Sequence, residues 1–161
     1  MLADACGIAQ GNLFGYYFKS KDEVIIRATD LCMRRTENHL LAMAPQTFDE
    51  VEPFIRRMPE LAKTVGAELR FAYQVFVSPK YLDYGKRFMR EATQRYKSYV
   101  QVLAPRLGVP AEVLESMLFI LVRASVHYAQ FDEREYLEPQ IDLLLAVASG
   151  LKEKYLTERK E

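Results

Sequence analysis

Three features of the sequence predict an all-α fold. Val, Ile and Thr do not alternate with polar residues over any stretch, and no Asn-Gly or Asp-Gly hairpin turn occurs. Two Ser/Thr-x-x-Glu capping boxes, at Ser20 and Thr47, mark helix starts. Between such marks, apolar residues recur at steps of three and four, the spacing of one helix face.

The elements follow in order. Leu2 to Leu13 reads as a short helix, a turn at Gly7 and a second helix from about Ala9. In Ser20-Lys21-Asp22-Glu23 the Ser hydroxyl can satisfy the Glu23 amide while the carboxylate reaches back, so a helix begins there. Its apolar side is expected to be Val24, Ile25, Ala28, Leu31 and Cys32, continuing to Leu40 and Leu41, with a stop at Ala44-Pro45. Thr47-Phe48-Asp49-Glu50 opens the next helix, which carries Phe54, Ile55, Met58, Leu61 and Ala62 and ends near Gly66. From Gly66 to Ser78, Val65, Leu69, Ala72, Tyr73 and Phe76 mark one face while Phe71 and Val75 make the other apolar, which predicts a surrounded helix. Ser78-Pro79 supplies an N-cap and a first-turn proline for a helix striped by Tyr81, Tyr84, Phe88, Ala92, Tyr96, Tyr99 and Leu103. Ala104-Pro105 is expected to punctuate that helix, and Pro110 to be the first residue of the next, over about 111–131. That helix is apolar over most of its circumference, with Arg123 alone interrupting Met117 to Ala129. A last helix is expected from Glu138-Pro139, carrying Ile141, Leu144, Leu145, Ala148, Leu151 and Tyr155, with a charged, fraying end from Lys152 to Glu161.

The chain's 161 residues fit one hydrophobic core, and short linkers fit helices that neighbour one another in a bundle. The 22 basic and 22 acidic side chains cancel, so net charge points to no nucleic acid, membrane or acidic substrate. Locally the balance shifts: bases outnumber acids from Lys80 to Arg106 and the reverse holds from Leu107 to Gly150, which reads as two solvated helix faces. Cys6 and Cys32 are too few and too far apart for a disulfide framework or a zinc site, so no metal or cofactor is expected and a reducing cytoplasm is the expected location. The apolar run Met117 to Val122 is far short of the roughly 20 residues of a membrane span. Catalytic chemistry has little to work with: His39 and His127 stand alone, with no Ser-His or Cys-His pair, no Glu-x-x-His motif and no glycine-rich phosphate loop. No enzyme is expected.

The first 24 residues differ in kind. A helix, a Gly turn and a helix is the order of a helix-turn-helix, whose second helix enters the major groove and presents its N-terminal side chains to base edges. The string Leu2-Ala3-x-x-Cys6-Gly7-Ile8-Ala9-x-Gly11-Asn12-Leu13-Phe14, followed by Tyr17-Phe18-Lys19-Ser20-Lys21-Asp22-Glu23-Val24, strongly resembles the DNA-binding signature of the TetR family of transcriptional regulators. The number, length and order of the later helices are similar to that family's ligand-binding and dimerisation region. The resemblance implies two parts: a partial DNA-binding segment over 1–24, and a ligand-binding and dimerisation domain over 25–161. It implies a homodimer joined through the helices at 111–131 and 139–157, and a repressor released from a double-stranded operator when a small molecule binds among the central helices. DNA contacts would fall to Ala9, Gln10, Gly11, Asn12, Phe14, Tyr16 and Tyr17, with Lys21 on phosphate. The family pattern carries a helix and a half ahead of Leu2, so the chain as written is expected to bind DNA weakly and a longer form to bind it well. The alternative is a helical ligand-binding or interaction module that does not bind DNA.

The expected effector site gathers Met58, Phe71, Tyr73, Phe76, Phe88, Tyr96 and Met117, with His127 as a polar contact. A helical core needs most of these side chains simply to fill space. Tyrosines facing inward are another matter, because a buried hydroxyl without a partner is costly, so several together suggest a cavity with polar handles and an apolar or aromatic effector.

Overall fold

The computed structural model describes Gly11 and residues 17–157, and these residues are all-α. Six α-helices are described: α1 (Lys21–Ala42), α2 (Val51–Thr64), α3 (Gly66–Val77), α4 (Leu82–Leu107), α5 (Ala111–Phe131) and α6 (Arg134–Lys152). A 3-10 turn, Phe48–Glu50, leads into α2, a second, Pro79–Tyr81, leads into α4, and a π-helical turn, Glu153–Thr157, prolongs α6.

Both capping boxes sit at helix starts. The Glu23 amide donates to Ser20 Oγ at 3.1 Å, and the Glu23 carboxylate reaches back to the Lys19 amide at 2.6 Å. Glu50 accepts from the amides of Gln46 (2.6 Å) and Thr47 (3.4 Å). At the other ends, α4 closes on Gly108 in the left-handed conformation (φ 70°) and α5 on Asp132 (φ 55°), whose amide returns to the Tyr128 carbonyl at 2.8 Å.

The core is built around α5, which packs on α2, α3, α4 and α6 and buries Met117, Leu121, Ala124, Tyr128 and Ala129. Its near-complete apolar circumference is thus mostly covered from within the chain. Leu107, Val100, Leu137 and Leu144 are sealed at 1% exposure or less. α3 crosses α4 at backbone distance: a Cβ on Gly85 would stand 2.6 Å from the Phe76 carbonyl oxygen and 2.9 Å from its Cα. Only glycine lets the two helices close there, and the approach stacks Phe76 on Phe88 with ring centroids 4.9 Å apart.

Four expectations need correction. α6 starts at Arg134, not near Pro139, and α4 runs through Pro105 to Leu107. Each proline removes one backbone donor, and the carbonyls left without it, on Glu135 and Gln101, belong to exposed residues where water can serve instead. Pro110 caps α5 from outside rather than opening it. The buried line of α1 is also turned from the expected one: Leu31 and Leu41 are about half exposed, while Thr29 and Met33 are buried. Thr29 can face inward because its Oγ1 donates to the Ile25 carbonyl at 2.8 Å, so only its methyl meets the core.

Candidate functional site

α1 touches the rest of the bundle in two ways. One side packs on α3. Asp22, Asp30 and Glu37, spaced by eight and seven residues, reach toward α4 and the turn before it. Asp22 Oδ1 accepts from Lys80 Nζ at 2.5 Å and from the Tyr81 hydroxyl at 2.7 Å; Asp30 accepts from the Tyr84 hydroxyl at 2.7 Å; Glu37 pairs with Arg95 at 2.7 Å. The hydrogen bonds from Lys80 and Tyr81 hold the Asp22 carboxyl below its ordinary range, and they raise the Lys80 ammonium and Tyr81 phenol in turn. Burial, then the bond to Asp30, pushes the Tyr84 phenol up.

Beside this seam lie three adjoining spaces. The inner chamber, between α1, α2, α3, α4 and α5, is lined among others by Met33, Leu40, Met58, Tyr73, Phe88 and Tyr96. It offers about 70 Å³ to the centre of a water-sized sphere. At ~10–15 Å³ per water that is about five waters, or the bulk of one aromatic ring. A second chamber of about 60 Å³ by the same measure is lined almost wholly by carbon, including Leu41, Phe54, Ile55, Met117 and Leu118, and shares Leu40 and Tyr96 with the first. The third space is a wider, polar basin of about 330 Å³, bounded by α3, α4, α5 and the start of α6, and it carries Thr93, Arg123, His127, Gln130 and Tyr136. Tyr96 lines all three. Burial pushes its phenol up to about 12, and neither Tyr96 nor Tyr73 has a hydrogen-bond partner for its hydroxyl among the described residues. Neither oxygen is sealed inside protein, so each is available to a ligand.

Of the residues expected to bind an effector, Met58, Tyr73, Phe88 and Tyr96 meet around the inner chamber, Met117 lines the second and His127 the basin. Phe71 and Phe76 line none of the three. Phe71 points outward at 36% exposure, and Phe76 is buried in a ring cluster with Tyr73, Tyr84 and Phe88. His127 is engaged already: its Nε2 lies 2.7 Å from Glu133 Oε2, and its ring packs on Phe131 and Tyr136. Sequence spacing does not reveal Val122, Val126, Met89 or Arg123 as lining residues. Arg123 had a visible signal, as the one charge within an apolar run, but that pattern reads equally as a solvated edge.

Of the expected DNA-contacting residues, Ala9, Gln10, Asn12, Phe14 and Tyr16 lie outside the described residues. Gly11 is helical and exposed, Tyr17 is 63% exposed, and Lys21 is the exposed first residue of α1, with no ion-pair partner among the described residues. α1 runs unbroken across the expected boundary between residues 24 and 25.

Among the described residues no group of three or more His, Cys, Asp or Glu side chains could hold a metal ion, and no helix is long and apolar enough to cross a membrane. Cys32 is a free, half-buried thiol whose pKa burial raises. Comparison of the chain with protein-family models, with curated proteins and with solved structures gave no match.

Proposed function

We propose that this protein is a TetR-like transcriptional regulator, a repressor that a small, largely apolar or aromatic effector releases from its DNA operator. One observation carries the reading: a single helix serves both ends of such a device. α1 begins within the signature string, at Lys21, and lines both apolar chambers, the inner one through Met33, Thr36 and Leu40 and the second through Leu40 and Leu41. A ligand that fills either chamber presses on the helix that carries the N-terminal segment. Gln10, Asn12, Tyr16 and Tyr17 would read bases, and Lys21, which has no ion-pair partner among the described residues, would take a phosphate.

Dimerisation belongs to the same reading. α5 and α6 leave Ile120, Phe131, Tyr136 and Leu143 between 36% and 60% exposed, apolar surface that a second copy would cover in a four-helix bundle. Sedimentation at micromolar concentration is expected to give a dimer, and a stable monomer would count against this part.

The functional test is selection of genomic DNA fragments by the protein as its gene encodes it, followed by sequencing of what is retained. Enrichment of a region upstream of the protein's own gene or a neighbouring one, lost in Lys21→Ala or Tyr17→Ala, is expected. Recovery of no fragment above background would leave the helical ligand-binding module as the better reading.

A further inference from the structure

The chambers carry information about the ligand as well as its place. Tyr73, Met89, Ala92, Tyr96, Val122 and Val126 line both the inner chamber and the polar basin, so the two spaces adjoin and together trace a path from the basin inward. The inner end is apolar and ring-sized. The outer end holds a cation, Arg123, which is exposed and has no hydrogen-bond or ion-pair partner among the described residues. No Asp or Glu lines the basin. Two carboxylates act at its margins and both are engaged: Glu133 is held by His127, and Glu37, whose charge reaches the Tyr96 phenol, is paired with Arg95. The Arg123 charge acts on the path itself, since it opposes the rise that burial imposes on the Tyr73 phenol.

We propose that this path binds an organic monocarboxylate with a compact apolar or aromatic body, its carboxylate on Arg123 and its body in the inner chamber between Met58, Phe88 and Tyr96. A guanidinium matches the planar carboxylate with two parallel donors, whereas a lone arginine would leave much of a phosphate dianion's charge uncompensated. The unpartnered hydroxyls of Tyr73 and Tyr96 stand along the path to bond a carboxylate oxygen or a ring substituent. This inference rests on the chamber being an effector site and adds the effector's charge.

Isothermal titration of the intact protein with 3-phenylpropanoate and with 3-phenylpropan-1-ol, a neutral ligand of the same body, tests it without DNA. The acid is expected to bind about tenfold or more tighter than the alcohol. Arg123→Gln should remove that advantage and leave the alcohol's affinity unchanged, and Arg123→Lys should restore part of it. Arg123 is exposed, so these variants keep the fold. Equal affinity for acid and alcohol, or undiminished binding of the acid by R123Q, would overturn the carboxylate anchor while leaving the chamber reading intact. Failure of both ligands to bind at millimolar concentration would overturn both.

Discussion

α4 meets its two neighbours in opposite ways. Against α3 it comes to backbone contact at Gly85 and stacks Phe88 on Phe76. Against α1 it reaches across with the tips of long side chains, Tyr84 to Asp30 and Arg95 to Glu37, while Lys80 and Tyr81 of the preceding turn hold Asp22. Shape fixes the first seam, and any displacement there opens a void. The second consists of groups that trade protein partners for water at small net cost, so it can open without emptying a core. On the proposed function α1 is the helix that moves, and it meets α4 across the second kind of seam while its buried Thr29 and Met33 and its packing on α3 hold it to the bundle.

The largest test of this contrast is Phe88→Ala, which removes a buried ring from the α3–α4 crossing and is expected to cost about 3–5 kcal/mol in urea unfolding. Next is Gly85→Ala. Its methyl would meet backbone, which cannot swing aside as a side chain can, so a loss of about 1–3 kcal/mol is expected despite the higher helix propensity of alanine. On the other seam Tyr84→Phe deletes one half-buried hydroxyl bond, for about 1 kcal/mol by the same assay. A loss from Tyr84→Phe as large as that from Gly85→Ala would erase the distinction between the seams.

The smallest effect is electrostatic. The folded state lowers the Asp22 pKa, so its contribution is present above the ordinary carboxylate range and fades as pH falls through the depressed value. The difference in urea midpoint between wild type and Asp22→Asn should therefore be small near neutral pH and vanish in acid. A difference that grew as the pH fell would reverse the sign assigned here.

Helix periodicity made most of this architecture legible, because the stripes of α2 and α4 are long and their buried residues apolar. It failed where polar atoms are satisfied locally. Thr29 reads as a surface residue until its hydroxyl is seen to bond its own helix, and that one residue turns the predicted face of α1. Pro105 reads as a stop and Pro139 as a start because sequence does not say which carbonyls face water. The chamber was half visible: Met58, Tyr73, Phe88 and Tyr96 belong to stripes that converge, whereas Phe76 belongs to the same stripe as Tyr73 yet spends its ring on Phe88. The role proposed for Arg123 rests on a basin that no Asp or Glu among the described residues lines, a property of several helices together.

The central claim is that the chamber and the N-terminal segment are coupled through α1. Thermodynamic linkage makes that a matter of two affinities: a ligand that weakens DNA binding by some factor must itself bind the DNA complex more weakly by the same factor. The direct measurement is fluorescence anisotropy of a fragment recovered by the genomic selection, titrated with protein in the absence and in the saturating presence of a ligand shown by calorimetry to bind. The account predicts a DNA Kd raised about 5- to 150-fold by the ligand, the usual span of allosteric coupling. An unchanged DNA Kd at full ligand occupancy would contradict it.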